Sequence, residues 1–202
     1  MASTAGTTFP LKPVGGAGGT LAVDLLTLEC EASETFNDGD IIAIDTAGSN
    51  GAISPASVTG ASVASNKVFG VANCKTFTSA ASIDVDGDLN DDLIQVYPAW
   101  PGRRFAGNIM AGAADVDGVA GTDLRNQFGI LLDATDKNWV IDNTDTTDPV
   151  TMVIEYVSPQ FETLSTDANY GLPKYGRHAG VGVTNPRVVF MFLNSATYFS
   201  EA

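Results

Sequence analysis

Apolar residues recur along this chain in short runs, separated by clusters of Gly, Asp, Asn and Thr, and no long segment carries a helical period. Ile41-Ile42-Ala43-Ile44-Asp45 follows the turn signal Asn37-Asp38-Gly39-Asp40. Val68–Ala72, Leu93–Tyr97, Phe128–Asp133, Trp139–Asp142, Thr151–Val157 and Arg187–Leu193 are further expected strands, rich in the β-branched and aromatic residues that pack well on a pleated surface. Leu21–Cys30 is ambiguous by pattern and is read as a strand. Val119–Gln127 leaves room for one helical turn. Segments 46–66 and 158–186 are long loops, of the kind that carry function or are ordered by a neighbour.

Residues 1–20 hold Pro10, Pro13 and the run Gly15-Gly16-Ala17-Gly18-Gly19, too little apolar surface to order alone. They read as an extended N-terminal arm, either frayed or ordered against a neighbour. The expectation is a mainly β chain. It comprises that arm and a single β domain over 21–202, an antiparallel barrel or sandwich with long loops.

Length and composition agree. The chain has 202 residues, 44% of them hydrophobic, enough for a substantial core. Charge narrows the partners. Ten Lys and Arg stand against 24 Asp and Glu, for a net charge of −14. Such a chain repels phosphate backbones and anionic bilayers, so neither free nucleic acid nor a membrane is expected as a partner. The longest strongly apolar run, Val188–Leu193, is far too short for a spanning helix, and the first twenty residues show no signal-peptide pattern. Cys30 and Cys74 form neither a zinc pattern nor a CxxC motif. One disulfide is open to them, but two buried thiols fit a chain assembled in a cytoplasm.

No catalytic constellation is present. The single histidine, His178, has no second His for a zinc site, and neither a G-x-S-x-G motif nor a P-loop occurs. No cofactor is expected. Asp84, Asp86, Asp88 and Asn90 alternate like the oxygen ligands of a calcium loop, but glycine and glutamate are missing from the places that loop requires. A solvated acidic turn is the competing reading. Two islands combine aromatic and basic residues. In the first, Trp100 lies beside Arg103 and Arg104, two of five arginines, between stiffening prolines. It reads as a partner contact, or as a Trp capping the core with its arginines paired to carboxylates. The second, Tyr170, Lys174, Tyr175 and Arg177, lies in the 158–186 loop and contacts either a neighbour or its own barrel.

From Gly121 to Val157 the chain reads GTDLRNQFGILLDATDKNWVIDNTDTTDPVTMVIEYV, preceded by GDIIAID at 39–45 and VFGVAN at 68–73. This succession of strands and turns resembles the small β-barrel capsid decoration (cement) proteins of tailed bacteriophages, over most of residues 37–194. The resemblance implies a β-barrel or jelly-roll-like, non-enzymatic virion subunit made in the host cytoplasm and carried on the outer capsid surface. It also implies the major capsid protein and further copies of itself, as a homodimer or homotrimer, as partners. Two alternatives stay open, beside a residual one, a hydrolase on a β scaffold, that no residue constellation supports. One is a carbohydrate-binding or adhesion β-sandwich, calcium-dependent through the Asp84–Asp92 loop. The other is a tail or head-joining virion part.

Overall fold

The structure, a computed structural model of the chain, describes residues 8, 10–14, 24–46, 50–58, 67–80, 90–116, 122–156 and 185–199. The fold is mainly β, and its strands close into barrels, as the alternating pattern predicts.

The first ring uses strands β2 (Leu26–Cys30), β4 (Ile41–Ile44), β5 (Ala52–Ile53), β6 (Gly70–Ala72) and β8 (Asn90–Pro98), closed in the order β2-β5-β4-β6-β8. Along β8, Ile94 and Val96 are fully buried while Leu93 and Gln95 face solvent, the period-two signature of a half-buried strand. The inward set Ile42, Ile44, Ala52, Phe69, Ala72, Ile94, Val96 and Cys30 fills this barrel. A short ribbon of β3 (Thr35–Phe36) and β7 (Phe77–Thr78) adds Phe36 and Phe77 to the same core, their rings 5.3 Å apart.

The second ring uses β9 (Phe105–Met110), β10 (Gln127–Leu132), β11 (Trp139–Asp142), β12 (Thr151–Tyr156) and β13 (Arg187–Phe192). They pair in the order β9-β11-β10-β12-β13, and a β9–β13 pairing closes the circuit. Closure hides strand edges that would otherwise template aggregation. Most neighbours are antiparallel, but β9–β11 and β2–β5 run parallel, a pairing that tight turns alone do not produce.

β1 (Lys12–Pro13) also pairs with β9, so residues 10–14 of the expected arm are packed on the chain's own body. The fully buried Leu11 reaches a space kept open by Gly107, where an added Cβ would lie 2.6 Å from Leu11 Cδ2. Lys12 Nζ meets Asp38 of the first ring at 2.5 Å, and Thr8 bonds Asp133 and Asp136 at the β10–β11 turn. Thr8 and residues 10–14 thus strap the two rings together. The remainder of the arm and most of the 158–186 loop lie outside the described residues.

The rings share apolar substance. Ile41 pairs with Val71 and Val71 with Tyr97, forming one cross-strand row on the outer side of the first ring. That row joins the core of the second ring, with Phe105, Ile109, Trp139, Ile141, Val188 and Phe190. The 122–126 part of the expected helical turn is a non-helical turn, in which Asn126 N donates to Asp123 O at 3.3 Å. Arg125 adopts a positive φ of 68°, which right-handed helix does not allow.

Candidate interaction surface

The first basic and aromatic island forms a defined surface at the end of β8. Ala99 is buried and donates to Phe69 O at 2.8 Å, which fixes the strand exit. Trp100-Pro101-Gly102-Arg103 then turns, with Arg103 N donating to Trp100 O at 2.9 Å. Gly102 has φ +79°, the value a type II turn needs at its third residue, and proline presets the second.

This turn leaves Trp100 38% exposed, with its ring centroid 4.2 Å from that of Phe199. Phe199 packs on Phe69 at 4.9 Å, and Tyr198 packs on Phe69 at 5.6 Å while remaining 44% exposed. The chain end is held there by backbone bonds: Val68 N to Ala196 O and Tyr198 N to Val68 O, both 2.9 Å. Leu25, also exposed, immediately precedes the Leu26–Val96 pair, near the end of β8. Among the described residues, three of the five large exposed apolar side chains, Leu25, Trp100 and Tyr198, thus lie at this end of the first ring.

Arg103 is half-buried, and its Nη1 donates to the Asp24 backbone carbonyl at 3.5 Å. Burial lowers its pKa from the usual guanidinium value, and the nearby Asp24 charge works in the opposite sense. Arg104 is exposed, and its carbonyl accepts from Val14 N at 2.9 Å. Neither guanidinium forms an ion pair with a described residue, whereas Lys12 does so with Asp38. A tryptophan with guanidinium groups is a combination enriched where proteins bind one another.

Asp84, Asp86 and Asp88 lie outside the described residues, and Asn90 enters only as the first residue of β8. Among the described residues no group of three or more His, Cys, Asp or Glu could hold a metal ion. Tyr170, Lys174, Tyr175, Arg177 and His178 lie outside the described residues. No helix among the described residues is long and apolar enough to cross a membrane.

Cys30 and Cys74 are free thiols. Burial, then Asp92, raises Cys30 to about 12, and burial, then Asp38, raises Cys74 to about 11. Both are therefore poor nucleophiles near neutral pH. The acidic turns are occupied internally: Asp142 Oδ1 accepts from Gly112 N at 2.8 Å, Thr144 N at 2.9 Å and Thr144 Oγ1 at 2.6 Å.

Sequence reasoning missed Phe69, Leu25, Tyr198 and Phe199 as members of the surface. The pair Tyr198-Phe199, set among small polar residues near the chain end, was the available signal. No protein-family model, curated protein or solved structure matches this chain.

Proposed function

We propose that this chain is a structural virion protein that decorates and stabilises a bacteriophage capsid, bridging neighbouring shell subunits without catalysis. The observation that carries the reading is the Trp100–Phe199–Tyr198 surface with Arg103 and Arg104, mounted on a rigid pair of barrels. Bridging needs a stiff body and a contact surface, and repeated copies on a lattice add avidity to a modest single contact. The strongly acidic remainder keeps unassembled copies soluble and apart. The partners are the major capsid protein and further copies of the chain, and the location is the outer capsid surface.

The test is to purify phage particles from the source lysate on a density gradient and quantify the polypeptide against the shell protein by mass spectrometry. A ratio near one per shell subunit, or a simple fraction of it, is expected. A handful of copies per particle would assign a tail or joining role instead. Absence from particles would overturn the proposal and turn attention to glycan binding by the exposed aromatic residues.

A further inference from the structure

The exposed surface at the end of β8 has a chemical bias that narrows its partner. The chain carries 24 acidic and ten basic residues, so a guanidinium on its surface has an abundance of carboxylates to choose from. Lys12 shows the usual result, with both Asp38 oxygens within 2.6 Å. Arg103 and Arg104, adjacent in sequence and close along the chain to the exposed Trp100, form no ion pair with a described residue, and the Asp24 charge acts on Arg103 only from beyond salt-bridge distance. Arg103 spends one weak bond, at 3.5 Å, on a backbone carbonyl. A half-buried guanidinium has five donors in a fixed fork, suited to a carboxylate.

Resting on the docking role proposed above, we infer that this surface receives an acidic, apolar segment of a protein partner. Its carboxylates meet Arg103 and Arg104, and its proline or aliphatic side chains lie on Trp100 and Tyr198. The occupant is a protein segment, not a polyanion, for reasons of range. At physiological salt, charge acts over about 8 Å. A nucleic-acid strand or an anionic bilayer extends beyond that range and meets the net −14 of the surrounding chain. A short acidic segment meets chiefly the local arginines. Trp100 and Tyr198 add apolar area with little rotamer loss, because each already packs on Phe199 or Phe69.

The full-length chain is titrated against a short fluorescein-labelled peptide alternating Glu with Pro and Leu. Comparison probes are its Lys-for-Glu counterpart, oligothymidylate and phosphatidylserine vesicles. Binding of the acidic peptide alone is expected, weakening with added salt. Trp100→Ala and the double change Arg103→Glu/Arg104→Glu should each weaken it roughly thirtyfold, the range of interface anchors. The double change to Lys, which keeps charge but loses the fork, should fall between. Circular dichroism confirms that each variant is folded. Equal binding by the reversed-charge variant, preference for any comparison probe, or no binding to the acidic peptide would each overturn the inference. Binding to purified particles separates the two proposals. Loss with Trp100→Ala but not with Arg103→Glu/Arg104→Glu would keep the docking role and remove the acidic seat. If wild-type chain leaves particles bare, the docking role falls, and the peptide titration still decides the seat.

Discussion

Replacing Val71 by Ala tests whether the two rings form one cooperative unit. Val71 is fully buried, lies between Ile41 and Tyr97 in the cross-strand row, and belongs to the core shared with the second ring. The change removes two methyl groups, a transfer loss of about 1.6 kcal/mol at about 0.8 kcal/mol each. A residual cavity of roughly 40 Å³ adds about 1 kcal/mol at about 24 cal/mol per Å³. The expected cost is therefore about 2–3 kcal/mol. Urea unfolding followed by tryptophan fluorescence and by far-UV circular dichroism is the assay. Trp100 reports beside the first ring and Trp139 from the second core, so both rings are seen. Wild type should unfold in one transition with coincident probes, and Val71→Ala should shift that transition without splitting it. Leu93→Ala, at a side chain 58% exposed, should move it by no more than about 0.5 kcal/mol. Two transitions in the wild type, or a Val71→Ala cost below that of Leu93→Ala, would refute the shared core.

Gly70→Ala should destabilise by about 1–3 kcal/mol, because an added Cβ would lie within 3.0 Å of Tyr97 O, Val96 Cγ1 and Pro98 Cα; calorimetry of the variant checks this, and an unchanged Tm would contradict the geometry. Asp142 is held below its ordinary pKa of 3.8: burial alone would raise it, but bonds from Thr144 and Gly112 outweigh that effect. Its contribution is therefore full above about pH 4 and lost as pH falls through the lowered value, so Asp142→Asn should flatten the acid limb of the stability curve, and an unaltered limb would count against this role. Cys30, buried, and Cys74, half-buried, are raised to about 12 and about 11 and should react with a disulfide reagent at pH 8 only slowly until urea exposes them; a rapid native burst of Cys30 would contradict its burial.

The strands with strong apolar patterning were legible in the sequence to within a few residues. Trp139–Asp142 matches the expected bounds, the expected Thr151–Val157 is strand throughout its described residues, and Arg187–Leu193 differs by one residue. β9 was not legible, although it pairs with three other strands. Its sequence FAGNIM carries Gly107 and Asn108 where a strand pattern calls for bulky side chains. Their reasons are tertiary: Gly107 makes room for Leu11, and Asn108 Nδ2 donates to the Asn185 carbonyl at 2.5 Å. Two-residue strands such as β5 and β7 have no period to detect. Of the candidate surface, Trp100, Arg103 and Arg104 were legible as a local cluster. Leu25, Phe69, Tyr198 and Phe199 reach it from three other parts of the chain, which only the register and the closing bridge of Val68 to Thr197 bring together.

The strap at Thr8 and residues 10–14 sets an order on how this fold is completed during synthesis. Thr8 needs Asp133 and Asp136, and the Pro10 carbonyl accepts from Arg187, 177 residues further along the chain. A ribosome therefore releases the first ring's strands long before the strap's full set of partners exists. Through that interval Leu11 has only the first ring's part of its core, because the Ile141 and Phe190 that help surround its seat beside Gly107 are not yet made. Residues 10–14 are thus made before every strand they pack on, and are fixed only once β13 has followed.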